Sequence, residues 1–216
     1  MSRARKIIKL WKDCRLVRTP FLLALARYLF YRVQKKNIIS SSHVTIYGLR
    51  NICTKGLLKI GMNYIGFMNC HDRTFLNIDG RIEFRENFSI GKGCRLDIGK
   101  DATAIFEGGY VNPNTMFVIM HGITIGQGCA ISWGCQFIDE DFHNLQYPGE
   151  LTKGSNKIEI GSHVWVGSNV TILKGSVIPD GCVVASGSVV CSRFDVKNAL
   201  IGGNPARIIR ENVVWE

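Results

Sequence analysis

The sequence predicts an all-β chain wound as a solenoid of short strands, and three observations predict it. From Ile160, large aliphatic residues recur every six positions through Val166, Ile172, Ile178, Val184 and Val190 without a miss. Four residues after each of the first five sits a modest side chain, at Val164, Val170, Ser176, Cys182 and Ser188. The chain also has 23 glycines in 216 residues, which a compact helical protein does not need and a backbone turning repeated corners does. A period of six fits neither the 3.6-residue turn of a helix nor plain strand alternation. It is the period of a coil built from flat faces, stacked so that each aliphatic slot rests on its equivalent in the next coil.

Residues 1–40 form the first element, a basic amphipathic helical extension. Eleven of the 27 Lys and Arg residues lie within residues 1–36, against one acid, Asp13, so this segment carries the whole net charge of +10 and the rest of the chain is neutral. A neutral body argues against nucleic-acid binding. Wound as a helix, Ile7, Leu10, Trp11, Cys14 and Val17 share one face, with Arg5, Lys9 and Lys12 opposite. Pro20 breaks that helix. Phe21 to Val33 follows, apolar but interrupted by Arg27 and Arg32, and shorter than the roughly 20 residues a spanning helix needs. Two readings of residues 1–36 stand: an anchor lying on an anionic membrane surface, or a cap on the first coil that keeps its charges in water. No small-residue cleavage site follows the apolar run, so a secretion signal is not expected. The expected location is cytoplasmic, and peripheral on the inner face of the cell membrane under the anchor reading.

Residues 41–204 are expected to form the coil. The beat is looser at Ile78, Phe84, Ile90 and Leu96, at Ile105, Val111, Phe117 and Ile123, and at Ile125, Ile131 and Phe137. Of the eight cysteines, Cys94, Cys129, Cys135 and Cys182 fall at the small-residue slot, and no CxxC pair exists. They read as small buried thiols in a reducing compartment rather than a zinc site or a disulfide framework. The beat fails between Phe137 and Ile160, which are 23 residues apart, one short of four periods. Residues 139–157 are therefore expected as a loop ejected from the coil, a place to look for function. Residues 205–216 read as a C-terminal tail.

The runs IEIGSHVWVGSNVTILKGSVIPDGCVVASGSVV and IGGNPARIIR resemble the C-terminal half of the hexapeptide-repeat acetyltransferases, the group that includes galactoside, maltose and serine O-acetyltransferases. The resemblance spans residues 121–210 strongly and is weak before residue 75. It implies a left-handed parallel β-helix, an exception to the usual right-handed crossover. It also implies a homotrimer with active sites between subunits, acetyl-CoA as the acyl donor, and a saccharide hydroxyl as the acceptor, for instance on a lipid-linked surface-polysaccharide unit. The alternatives are N-acylation of an amino sugar and a non-catalytic trimeric scaffold.

Acetyl transfer to an alcohol needs a base for the hydroxyl proton, and histidine suits that task near neutral pH. The ejected loop holds His143, with Asp139 and Asp141 four and two residues upstream as candidates to orient the imidazole. A solvated polar turn would look the same; the resemblance is what makes His143 the general base. It further implies a cofactor groove using Trp165, Gly167, Ser168, Ser186 and Ser192, with Arg207 and Arg210 near the nucleotide phosphates, where guanidinium forks suit phosphate oxygens. Relatives often carry Thr-Lys where this chain has Cys191 and Ser192, and Arg193 is the nearby substitute. Trp165 precedes an inward slot and should point outward, toward cofactor or a neighbouring subunit. Asn112 and Asn114 match acceptor-binding positions, although an Asn-Pro-Asn turn explains them equally. His43, His71, His121 and His163 share no metal-ligand spacing, and no metal is expected. No cysteine accompanies His143, which favours direct attack over an acyl-enzyme.

Overall fold

Successive six-residue steps lay a strand on each of three faces in turn. In the computed structural model, which describes residues 3–143, 146–147, 150–151 and 157–216, the chain is a left-handed parallel β-helix. Sheet 1 has nine strands, sheet 2 seven and sheet 3 six. One coil runs through Cys129–Ile131 in sheet 1, Gln136–Ile138 in sheet 2 and Ile158–Ile160 in sheet 3, and the next begins at Trp165–Val166, again in sheet 1. The three edges of the prism are called here the 1/2, 2/3 and 3/1 corners.

Pairing between coils is parallel and in register, which is what stacks the slots. In sheet 1, Ile90, Val111, Ile131, Val166, Val184 and Ile201 lie one above another. All six are buried, and each such side chain contributes about 1.5–3 kcal/mol. Inside the prism the rings of Phe117 and Phe137 stack at 4.4 Å, and those of Phe84 and Phe106 at 5.2 Å. The four small-slot cysteines are buried free thiols. Burial pushes Cys94 up to about 12 and Cys129 and Cys135 up to about 11, so these groups stay protonated and pack rather than react.

One slot differs from expectation. Ile105 faces outward, and Ala104 and Phe106 point into the core instead. The step from Phe106 to Val111 is five residues, taken through Gly109 at φ 123°, where a Cβ would lie 2.2 Å from the Cys129 carbonyl oxygen. A second departure had no counterpart in the beat: between Leu58–Ile60 and Thr74–Ile78, residues 61–73 leave the coil at the 1/2 corner.

Both ends are closed. The extension forms α1 (Arg3–Leu16) and α2 (Phe21–Val33), and its final residues already join sheet 1 as the strand Ile38–Ser40. Helix α2 covers the first coil. Its Tyr31 belongs to the main core, and Arg27 donates to the carbonyls of Ser41, Ser42 and Val44, which a first coil would otherwise leave unpaired. Lys36 does the same for Arg50 and Ile52. No helix among the described residues is long and apolar enough to cross a membrane. At the other end, part of the expected tail, Ala206–Arg210, folds back antiparallel on Leu200–Gly203 and finishes sheet 1.

Candidate active site

The chain leaves the coil at the 2/3 corner after Ile138, and three consecutive acids fasten the departure point. Asp139 is fully buried, and its carboxylate accepts from the backbone amides of Met120, His121 and Gly122 at 2.6, 2.9 and 2.7 Å. Glu140 accepts from His121 Nε2 at 2.6 Å, while its other oxygen accepts from the amides of Asp141 and Phe142. The bond from His121, aided by the Phe142 and Asp141 amides, holds the Glu140 carboxyl below the usual carboxylate range. Asp141 pairs with Lys174 of the coil above, 2.5 Å from Nζ to Oδ2. Phe142 then adopts a left-handed φ of 61°, and His143 follows with an exposed side chain.

This corrects the role expected for the two aspartates. Neither Asp139 nor Asp141 turns to His143: the first is consumed by three amides and the second by an ammonium group. Among the described residues no hydrogen bond holds the His143 imidazole. His121, set aside in the sequence for lack of a metal partner, is the histidine that carries a carboxylate. The available signal was coil length: Met116 pairs with Gln136, so residues about 20 apart stack at one corner there. Of the loop expected over residues 139–157, residues 144–145, 148–149 and 152–156 lie outside the described residues. The remainder includes a short antiparallel pair, Gln146–Tyr147 with Glu150–Leu151.

The residues expected to hold cofactor gather mainly at the 1/2 corner and on the adjoining part of sheet 1. Ser168 donates to Ser186 Oγ from both its amide and its hydroxyl, at 3.2 Å each. Gly167 lies so near the next coil that a Cβ would stand 2.7 Å from the Ser186 amide nitrogen. Trp165 points out from sheet 1, and its indole donates to Ser132 Oγ at 3.2 Å. Its ring lies 6.2 Å from that of Trp215, which stacks on His163. Arg207 and Arg210 are exposed on the closing strand, opposite Gly202 and Leu200. Gly202 in turn approaches Ala185, beside Ser186. Ser192 is not part of this group: it follows sheet 2, and its carbonyl accepts from Val177 of sheet 3.

Asn112 and Asn114 also lie on the 1/2 corner, two coils below Ser168 and three below Ser186. Asn114 has φ 62°, and a Cβ on Gly93 would lie 2.0 Å from its Oδ1, so this asparagine makes the corner itself. Asn112 contributes backbone, its amide to Ile131 and its carbonyl to Cys94 Sγ. Among the described residues no three His, Cys, Asp or Glu side chains converge as metal ligands. The loop root and the 1/2 corner occupy different edges of one prism.

No family model matches the chain. A curated protein of Klebsiella pneumoniae, described as an uncharacterized 24.8 kDa protein in cps region, is 40% identical over 206 residues, covering 94% of this chain and 92% of that one. Among solved structures, the polysialic acid O-acetyltransferase OatWY superposes with a TM-score of 0.58 at 25% identity, over 83% of this chain and 88% of that one. The polySia-specific acetyltransferase NeuO gives a TM-score of 0.55 at 23% identity, over 83% and 76% of the two chains. AntD, an N-acyltransferase from Bacillus cereus, shares the fold at 18% identity and a TM-score of 0.54, over 84% and 88%. The chain is a relative of the Klebsiella protein and has the left-handed β-helix fold of the hexapeptide-repeat acetyltransferases; with OatWY at 25% identity beside it, it is an acyltransferase.

Proposed function

We propose that the chain transfers the acetyl group of acetyl-CoA to a hydroxyl of a saccharide, with His143 as general base. The observation that carries the reading is the fastening of the loop root. Asp139, Glu140 and Asp141 each tie to the coil, so the segment that delivers His143 is fastened, while the exposed imidazole has no hydrogen-bond partner among the described residues. His143 takes the hydroxyl proton as the oxygen attacks the thioester carbonyl. A C–O bond forms, the C–S bond breaks, and the proton passes on to the leaving CoA thiolate. The buried, protonated cysteines of the coil offer no competing nucleophile.

Acetyl-CoA suits the 1/2 corner: exposed hydroxyls and backbone groups at Ser168 and Ser186 for the pantetheine arm, Trp165 beside it, and Arg207 and Arg210 toward the phosphates. His143 belongs to the 2/3 corner, so one chain has base and donor groove on separate edges. A homotrimer in which the loop of one subunit meets the groove of the next joins them. A saccharide acceptor agrees with the polysialic acid named for OatWY.

The two helices support peripheral membrane contact of the cytoplasmic enzyme. Ile7, Ile8, Leu22, Leu29, Phe30 and Val33 are exposed apolar side chains of the two helices, and Arg5, Lys9, Lys12 and Arg15 are exposed on α1. This is the composition of a helix surface seated at an anionic interface. Incubation with isotopically labelled acetyl-CoA and a panel of bacterial surface glycans, read by mass spectrometry, tests the activity. Label on an ester of a sugar hydroxyl is the expected result; label on an amide or on no glycan overturns it.

A further inference from the structure

The 61–73 excursion ends against the same corner that carries the proposed donor groove. It is firmly held. Lys92 is fully buried, and its ammonium group donates to the Cys70 carbonyl at 2.7 Å and to the carbonyl of Val17, just past the end of α1, at 3.1 Å. From that anchor the excursion climbs the 1/2 corner, with Asp72 beside Gly93, and sets the Phe67 ring against the Trp133 ring. The centroids are 5.1 Å apart and the planes meet at 68°, the edge-to-face arrangement aromatic pairs prefer.

Such a pair normally closes a core, yet here Phe67 is 59% and Trp133 43% exposed. Two large rings joined edge to face on a convex edge and open to water present an exposed apolar patch with one ring face on each side of the angle. Trp133 is connected directly to the proposed donor groove. Its carbonyl accepts from Asn169, next to Ser168, and the adjacent Ser132 hydroxyl holds the Trp165 indole. A line therefore runs up the 1/2 corner from Phe67 through Trp133 to Ser168 and Ser186, with the donor groove at the upper end.

We infer that Phe67 and Trp133 form a subsite for the acceptor, on which sugar rings adjoining the acetylated one stack. The C–H face of a pyranose is apolar and weakly positive, and it complements the negative face of an aromatic ring. Polar groups near such rings fix orientation; a cleft on the same excursion, lined by Gly66 and Met68 on either side of Phe67 in the chain, carries Asn69, His71 and Arg18, although neither ring lines it. An acceptor consisting of one activated sugar leaves the Phe67 end uncovered, whereas a glycan chain covers both rings. The acceptor class is thus an oligosaccharide or polysaccharide. This inference rests on the acetyl-transfer reading for its link to Trp165 and Ser168.

The test uses the full-length protein against an array of immobilised bacterial capsular and O-chain polysaccharides, with acetyl-CoA affinity measured separately by calorimetry and molar mass by light scattering. Phe67→Ala and Trp133→Ala should each weaken glycan binding at least tenfold, with Phe67→Tyr and Trp133→Phe restoring it. Acetyl-CoA affinity and molar mass should not change. Binding that the alanine variants retain, or no bound glycan for the unaltered protein, overturns the subsite. So does a lower molar mass for the alanine variants, which identifies the rings as a contact between copies of the chain. If the unaltered protein binds glycan through these rings but does not bind acetyl-CoA, the subsite stands and the acetyl-transfer reading falls.

Discussion

His121 Nε2 donates to Glu140 Oε2 at 2.6 Å, joining the last turn of one coil to the root of the loop in the next. The bond holds the Glu140 carboxyl below its usual range, and a depressed carboxylate couples stability to pH in one direction. Its contribution is fully present above the unfolded value, roughly 4.3 for glutamate, and is lost as pH falls through the lower folded value. Thermal melts of Glu140→Gln should therefore lie slightly below the unaltered protein at neutral pH and converge with it only in acid beneath that value. A gap that is constant with pH removes the charge from the explanation.

Two histidines now compete for the role of base, and they are separable. His143→Ala should lower turnover by at least about 100-fold, the scale of a lost general base, with oligomeric mass unchanged. His121→Ala should loosen the loop root and cost less than about tenfold, since its imidazole is engaged with Glu140. Steady-state acetyl transfer with sedimentation analysis of both variants decides. The reverse ranking assigns the chemistry to the His121 and Glu140 pair.

Asp139 looks like a catalytic acid in the sequence and is a fastener in the fold. Removing its carboxylate strands three backbone amides at a corner with little access to water, and each unmade bond of this kind costs about 1–3 kcal/mol. Asp139→Ala should destabilise the protein by about 3 kcal/mol or more in chemical denaturation. A loss below about 1 kcal/mol means that water replaces the carboxylate.

The contrast between Val166 and His121 marks what the sequence makes legible. A coil demands one apolar side chain at each inward position, so Val166 and its partners announce themselves by spacing alone. Ile105 misleads because a single glycine, Gly109, shortens one step and shifts the phase. Nothing periodic marks the Phe67 excursion, whose residues answer to Lys92 and Trp133 from distant coils. The acids of the loop were visible as a cluster, but their partners were not. Those depend on which corner of which coil stands beside them, and coil lengths vary below residue 137.

Membrane contact can be tested without disturbing the cap. Deleting residues 1–36 would also strip Arg27 and Tyr31 from the first coil, so substitution on the outer face is cleaner. Leu22 and Val33 are 76% and 84% exposed. The double change Leu22→Asp, Val33→Asp should leave the melting temperature within a few degrees, because neither side chain is packed. Sedimentation with vesicles containing phosphatidylserine should be lost, and binding of the unaltered protein should weaken with salt as expected for basic side chains near anionic headgroups. Equal sedimentation of both proteins rules out this face.

The C-terminal residues are tied to the proposed donor groove through a ring stack. Trp215 lies on His163 at 4.1 Å with planes 7° apart; its indole donates to the His163 carbonyl at 3.0 Å, and its own carbonyl accepts from the imidazole at 3.1 Å. Trp165 is next to this clip, 6.2 Å away, and is held on its other side by Ser132. If Trp165 borders the donor as proposed, Trp215 is a positioning residue, packed beside Trp165 without touching the reacting atoms. Trp215→Ala should raise KM for acetyl-CoA several-fold while kcat and melting temperature barely move, and Trp215→Phe, which keeps the stack, should recover most of the loss. A fall in kcat with unchanged KM would instead connect Trp165 to the chemical step rather than to donor binding.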